Sequence, residues 1–362
     1  MLSLRRLARC KPVRMKRLWL YSLGSVALAV LVLGLTAGYL YWSSRQPVLN
    51  GSDSFTISPG TGVKEVAASL VKAKILEEPY TFTLWAYVED YTTRVHAGEY
   101  AIPKGISVAG LLELFVSGRV IERPLTLIEG WTFKECLQAL QSAPKLGVET
   151  KGLTGAQIMA RLGVPDQAPE GRFFPDTYLY TADTSDLDVL KRAHAEMQKV
   201  LDEEWENRDE STVLESKEQA LILASIIEKE TGLPKERPLI SAVFQNRLEK
   251  GMRLQTDPTV IYGLGDRFNG NLTKVHLQTD TPYNTYTRAG LPPTPIAMPG
   301  RASIHAALHP ADSKALYFVA KGDGSHEFSD TLAEHNRAVA RYQLNGVGHS
   351  QSGQQVKGGE TN

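Results

Sequence analysis

The sequence predicts an α+β fold carried on a single N-terminal transmembrane helix. Three observations predict it. An uncharged, mostly apolar run of 21 residues, Leu20–Leu40, has the length that crosses a bilayer as a helix. A unit of strand, glycine turn and helix occurs three times between residues 55 and 140. Further on, a helix apolar on all sides is followed by more helical patterns and a candidate strand pair near residues 316–329. The expected organisation is a basic segment (1–18), the anchor (19–42), a polar linker (43–53), a small subdomain (54–122), a larger α+β domain (123–345) and a disordered tail rich in Gly, Ser and Gln (346–362).

The anchor carries Trp19 and Tyr21 at one end and Tyr39, Tyr41 and Trp42 at the other, where aromatic belts meet the headgroups. Seven basic residues precede the run and only Arg45 follows it closely. The positive-inside rule then leaves residues 1–18 in the cytoplasm and the body outside. A cleaved signal peptide is the competing reading, but its apolar region is normally shorter and ends in a small-x-small site, which is not seen here.

The formal net charge of zero hides an asymmetry. Removing the eight basic residues of positions 1–45 from the chain's 40 leaves 32 against 40 acidic ones, so the body is net −8. An acidic body without a basic run argues against nucleic acid as a partner, because phosphate neutralisation supplies most of that affinity. Cys10 and Cys136 fall on opposite sides of the membrane, so the body has no disulfide framework. The histidines are scattered, no Cys/His cluster has metal-ligand spacing, and no metal or other cofactor is expected.

The repeated unit is defined by its offsets. In residues 55–70, 100–115 and 125–140 a short strand runs into Gly60, Gly105 or Gly130, and apolar residues follow at three, six and ten positions: Val63, Val66 and Leu70; Val108, Leu111 and Phe115; Phe133, Cys136 and Leu140. Each reads as a helix burying one face after a glycine turn. Tyr80–Val88 is a further, aromatic-rich helix between the first two copies. Small units of this kind resemble LysM glycan-binding modules, although the same pattern serves as a generic packing unit. Residues Ala143–Ala168 read as turns. Glu170–Tyr178 (EGRFFPDTY) gathers aromatics with Pro, Asp and Arg, as core corners and sugar-stacking clusters both do, and Leu187–Glu206 is an amphipathic helix.

The central stretch is Leu221–Thr231, LILASIIEKET. Ser216 and Gln219 give a capping signature, Gly232 offers a left-handed stop and Pro234 prevents continuation. Its apolar residues surround the helix, which is the pattern of burial. Glu228 and Glu230 then fall in the last turn, where the helix dipole and burial both raise a carboxyl pKa toward the range of a general acid. Solvated end-of-helix glutamates are the alternative. Helical spacing sets Glu230 over Ile227, Ile226 and Leu223, and Glu228 over the smaller Ser225, Ala224 and Leu221, which does not decide between them.

A helix over Leu239–Leu248 stops at Gly251, and a Pro/Gly-dense loop, Gly290–Gly300, leads into a helix over Ala302–Leu308. Leu316–Ala320 and His326–Ser329 form the strand pair, and Leu332–Leu344 the last helix. Gln255, Asp257 and Asn284 are read as loop polar groups beside apolar stretches, suited to hydrogen-bonding sugar groups or to holding a catalytic carboxyl, with Tyr286 suited to stacking. Turn formation or capping would explain the same residues. Arg247 reads as a solvated or dipole-satisfying cation, and His309 as a helix terminator.

Five runs, IIEKET (226–231), SAVFQNRLEKGMRLQTDPTVIYG (241–263), YNTY (283–286), GLPPTPIAMPG (290–300) and LYFVAKGDGSHEFSDTLAEHN (316–336), closely resemble the MltG (YceG-like) family of membrane-bound endolytic murein transglycosylases. The resemblance runs from the anchor to about residue 345. It implies a LysM-like subdomain followed by an α+β catalytic domain, and cleavage of the MurNAc–GlcNAc β-1,4 bond of nascent strands with 1,6-anhydromuramic ends. It implies Glu230 as the catalytic acid; Glu228 then reads as a structural or supporting carboxylate, beside Gln255, Asp257, Asn284 and Tyr286 as the supporting or substrate-binding residues that their positions suggest. The implied partners are peptidoglycan strands, the cytoplasmic membrane and, as candidates, peptidoglycan synthases. A water-using muramidase, with Asp257 or Glu228 as second carboxylate, and a non-catalytic glycan-binding scaffold are the alternatives.

Overall fold

The computed structural model describes residues 13–49 and 53–344. The first twelve residues of the basic segment and the tail expected to be disordered lie outside them. Two compact units divide between Glu122 and Arg123.

The first unit begins with α1 (Val13–Ser44), of which Trp19–Ser44 is long and apolar enough to cross a membrane, its most apolar stretch not buried by the rest of the chain. The expected linker is tied down where it leaves the helix. Val48 N–H donates to Ile106 O at 2.8 Å and Leu49 N–H to Ile75 O at 2.9 Å, and the Val48 side chain joins the core. Next come β1 (Ser54–Ile57), α2 (Val63–Lys72), α3 (Tyr80–Val88), β2 (Gly98–Ala101) and α4 (Val108–Ser117), with β1 antiparallel to β2. Gly60 and Gly105 have φ of 79° and 76°, the left-handed turn that lets each strand pass into its helix. The residues at three, six and ten positions beyond each glycine are all buried, as the spacing predicts. Phe115 is the centre of this core, with the rings of Phe55, Phe82 and Tyr100 at 5.9, 6.2 and 4.8 Å.

In the second unit β3 (Arg123–Thr126) passes through Gly130 into α5 (Phe133–Ser142), the third copy of the repeated unit. The segment expected to be turn-rich also contains α6 (Gly155–Arg161), capped reciprocally by Thr154 and Gln157. That box is a local S/T-x-x-E/Q signal which the turn-forming composition around it obscures. The antiparallel partner of β3 is β4 (Thr177–Tyr180). The aromatic cluster just before and within β4 is a core corner: Phe173 is fully buried and stacks on Phe133 at 5.3 Å, while the Tyr178 hydroxyl donates to Phe174 O at 2.7 Å.

Then follow α7 (Asp186–Glu206), α8 (Lys217–Glu230), α9 (Arg237–Glu249), α10 (Asp257–Leu264), α11 (Lys274–Gln278), α12 (Arg301–Leu308), the antiparallel pair β5 (Tyr317–Ala320) and β6 (His326–Ser329), and α13 (Leu332–Val339). Beyond Val339 the expected helix widens into a π-helical turn over Ala340–Leu344. The helix α8 is the axis of the unit, with α12, α9, α7 and α10 packed around it. Every residue from Ala220 to Ile227 is buried. Each fully buried Leu or Ile here contributes roughly 1.5–3 kcal/mol relative to exposure.

The two ends of α8 depart from expectation in detail. Ser216 Oγ accepts from Gln219 N–H at 3.2 Å, but the Gln219 side chain accepts from Glu215 N–H at 2.8 Å, so the cap is not reciprocal. Gly232 is not left-handed. The chain leaves the helix at Thr231 with extended backbone (φ −146°, ψ 136°), and Thr231 Oγ1 accepts from Leu233 N–H at 3.0 Å, which turns it toward Pro234 without a glycine.

Candidate active site

The two glutamates at the end of α8 face different surroundings. The small face of the helix is approached closely by the loop Gly290–Gly300, where Ile296 N–H donates to Ser225 Oγ at 3.0 Å. Glu228, one turn on, fastens the end of that loop: its Oε2 accepts from Gly300 N–H at 3.0 Å, and Arg237 stands 3.9 Å from Oε1. With its side chain 7% exposed, Glu228 is taken up by these two contacts.

Glu230 opens instead into a cleft of about 460 Å³ bordered by the end of α8, the start of α10, the 284–287 loop, the β5–β6 pair and α13. Its Oε1 accepts a hydrogen bond from the hydroxyl of Thr256. Burial raises the Glu230 pKa above the ordinary carboxylate value; the Thr256 hydrogen bond opposes that, the negative charge of Asp257 adds to it, and His326 opposes it. Burial prevails, so the carboxyl holds its proton to higher pH than a solvated glutamate, as a general acid requires.

The platform under Glu230 is a buried threonine cluster. Thr256 N–H donates to Thr285 Oγ1 at 3.1 Å, Thr259 Oγ1 donates to Thr256 O at 2.8 Å, and the Thr259 and Thr285 hydroxyls are 2.9 Å apart. All three side chains are buried, which fixes the position of the Thr256 donor. Thr256 is the N-cap of α10, so Asp257 is not in a loop but in the first helical turn, with Pro258 behind it. Asp257 is exposed at the cleft and accepts from the Tyr286 hydroxyl at 2.6 Å. Burial first, then that hydrogen bond, raises the Tyr286 pKa and keeps it a phenol. Gln255 also lines the cleft and has φ 51°, a left-handed conformation that costs a non-glycine residue on the order of 1 kcal/mol and is characteristic of functional sites.

Asn284 does not reach the cleft. It is fully buried, its amide nitrogen donates to the carbonyls of His276, Leu277 and Thr279 at 3.2, 3.1 and 2.7 Å, and its oxygen accepts from Tyr286 N–H at 2.9 Å. It shapes the loop that presents Tyr286. Arg247 is not solvated either. Its guanidinium donates to the carbonyls of Leu316 (2.6 Å), Leu254 (2.8 Å) and Arg253 (3.3 Å), and lies 5.1 Å from the Tyr317 ring centre, tying the β5 strand to the segment before Thr256. His309 does cap the end of α12.

The sequence patterns give no role to five side chains of this arrangement: Thr256, Thr259, Thr285, His326 and Glu236. Thr256 stands inside the quoted run LQTDPTVIYG, and a Thr preceding Asp-Pro is a cap signal that would have placed it. His326 borders the cleft at the start of β6, its Nδ1 2.7 Å from Glu236 Oε2 and its N–H donating to Glu236 Oε1 at 2.9 Å. Burial raises the Glu236 pKa, but the two hydrogen bonds from His326 outweigh it and hold Glu236 below the usual value. Nothing local in the sequence pairs residues 90 positions apart.

One cluster has ligand types that a metal would use. Glu204, His305 and His309 bring an atom each within 4.8 Å of one another, although the sequence shows no clustered metal-ligand spacing. Arg301 pairs with Glu204 at 2.9 Å, and both His309 nitrogens lie near backbone carbonyls, at 3.0 and 2.8 Å. A cation and carbonyl partners already satisfy this group, which reads as an ion-pair network whose residues do not line the cleft.

The YceG-like family model matches residues 55–341. An endolytic murein transglycosylase of Bacillus subtilis (strain 168) is 32% identical over 333 residues, covering 84% of this chain and 89% of that protein. One of Streptococcus pneumoniae serotype 2 is 28% identical over 355 residues, covering 88% of this chain and 64% of its own length. A crystal structure of a YceG-like protein from Listeria monocytogenes is 28% identical with a TM-score of 0.49, covering 78% of this chain and 97% of that one. With the family match spanning both units and the cleft residues, the chain belongs to the YceG-like family.

Proposed function

We propose that this protein is an endolytic murein transglycosylase, anchored in the cytoplasmic membrane by α1 with its body on the outer side, and that Glu230 is its single acid/base. The observation that carries the reading is the carboxyl of Glu230: it borders a cleft able to take sugar rings, holds a raised pKa, and has one fixed hydroxyl donor. The family and the named relatives supply the substrate class.

The steps follow from that carboxyl. Protonated Glu230 gives its proton to the oxygen joining C1 of MurNAc to C4 of GlcNAc. The C1–O bond breaks, its electron pair stays on oxygen, and GlcNAc leaves with a free 4-hydroxyl. The Glu230 carboxylate, now stabilised by the Thr256 hydroxyl, takes the proton of the MurNAc C6 hydroxyl while O6 bonds to C1. A 1,6-anhydro ring closes, no water is consumed, and Glu230 ends protonated. Residues 54–122 are proposed as a LysM-like module that holds the glycan strand, a reading supported by the two strand–turn–helix units packed around one core.

Asp257 favours a second reading, since it puts another carboxylate at the same cleft, where a muramidase would direct water. Glu228 is withdrawn into the loop contact and does not compete. Digestion of purified peptidoglycan by the detergent-solubilised chain, with mass spectrometry of the new ends, separates the two. Anhydro ends are expected, 18 Da lighter than reducing ends by one water, and Glu230→Gln is expected to abolish them, with a loss of about 10²–10⁴-fold. Reducing ends, or full activity in Glu230→Gln, would overturn the proposal.

A further inference from the structure

We propose that α3 is a second membrane contact, seated with its outer face among the acyl chains and headgroups of the leaflet from which α1 emerges. The inference rests on α1 being a membrane anchor. The helix YTFTLWAYV carries no charged side chain and is apolar on two opposite faces. Phe82 and Ala86 are buried in the first unit's core, whereas Tyr80, Leu84, Tyr87 and Val88 are 72, 52, 57 and 63% exposed. Their spacing of i, i+4, i+7 and i+8 makes them one stripe. A surface helix in water carries charged or polar residues on that side; a helix at a membrane interface carries Tyr, Leu and Val there.

Continuity with the anchor names the occupant. The rings of Tyr41 and Trp85 are 6.2 Å apart, and Thr81 Oγ1 donates to Ser43 Oγ at 3.4 Å, so α3 lies against the end of the spanning helix. Between Val32, Thr36 and Leu40 of α1 and Tyr80 and Leu84 of α3 runs an apolar groove of about 850 Å³. Ten residues separate Val32 from the interfacial Trp42, a rise of ~15 Å, which is half the ~30 Å hydrocarbon thickness. A groove that reaches this depth beside a spanning helix is filled by lipid. Glu78, at its edge, accepts from Thr81 N–H at 3.0 Å and from Tyr80 N–H at 2.5 Å, so its charge is met by the helix N-terminus. Tyr80 and Tyr87 have the ring-plus-hydroxyl form that headgroup levels favour.

The test uses the full chain in nanodiscs of phosphatidylethanolamine and phosphatidylglycerol. In a Cys10→Ser background, with the buried Cys136 left in place, single cysteines at Val30, Lys64 and Leu84 carry an environment-sensitive fluorophore, and doxyl groups on the lipid acyl chains act as quenchers. Quenching of several-fold at both Val30 and Leu84, with blue-shifted emission, and none at exposed Lys64 is the expected result. Quenching at Val30 alone would overturn the docking of α3 while leaving the anchor intact. Absence of quenching at Val30 would overturn the anchor and the inference with it. Blue-shifted but unquenched Leu84, with disulfide cross-linking of unlabelled chains through that position, would assign the face to a second copy and overturn the membrane contact.

Discussion

Thr256 donates its hydroxyl to Oε1 of Glu230, joining the last residue of α8 to the cap of α10. A donor of this kind favours the anion, while burial favours the acid, and the proposed acid/base role asks the carboxyl to serve in both forms within one turnover. The balance of the two influences sets the pH at which the acid form is lost.

Replacing Thr256 by Val removes the donor and keeps the shape. The Glu230 pKa then rises further, so the high-pH limb of kcat moves to higher pH. At the optimum, kcat falls by about 10-fold, because the carboxylate formed in the first step has lost its stabilising hydroxyl. The pH–rate profile of glycan cleavage measures both; an unmoved limb would show that Glu230 is not the titrating group.

Asp257→Asn shifts the limb the other way. Asp257 raises the Glu230 pKa by its charge, so neutralising it lowers that pKa and the acid form is lost at lower pH. Anhydro ends persist, with activity within about 10-fold of wild type, because the ring closure needs no second carboxylate. Loss of all cleavage would assign Asp257 the base role of a muramidase.

Glu228→Ala acts on stability. Gly300 N–H loses its acceptor and Arg237 its nearby anion, at a cost of about 1–3 kcal/mol. Denaturant unfolding should show that loss, while the product ends remain anhydro at temperatures well below the transition.

Glu170 should make the fold depend on pH. It is buried, and although it accepts from Phe133 N–H at 2.9 Å and from the Tyr262 hydroxyl at 3.0 Å, burial pushes its pKa up to about 7. The folded chain therefore holds a proton that the unfolded chain releases near its ordinary pKa of 4.5. Its favourable contribution is complete below that value and disappears as pH rises through 7, a change on the order of 3 kcal/mol. Glu170→Gln, neutral at every pH, should raise the melting temperature at pH 8 by several degrees and flatten its pH dependence between 4.5 and 7, read by calorimetry.

Much of this molecule was legible because it is local. The offsets of three, six and ten from Gly60, Gly105 and Gly130 specify a helix with one buried face, and all nine residues are buried. The run of apolar residues in α8 has no solvent face, and the helix lies at the centre of its unit. The short helices α6, α10 and α11 are faint in the sequence, because their cap signals lie among turn-forming residues and each has at most eight residues. The sequence leaves Asn284 open between binding substrate, holding a catalytic carboxyl and forming a turn for a related reason: a polar side chain next to apolar stretches looks the same whether it meets a sugar or four backbone groups.

By itself the sequence determined the apolar span, the repeated units and the placing of two acids at the end of a buried helix, since each depends on spacings within one continuous segment. Only the tertiary structure gave those acids different environments. Gly300 and Arg237 meet Glu228, whereas Thr256, Asp257 and His326 surround Glu230. Two residues apart on a helix, the side chains point about 160° away from each other. What each then meets is supplied by chain that is distant in sequence, and no local periodicity encodes it.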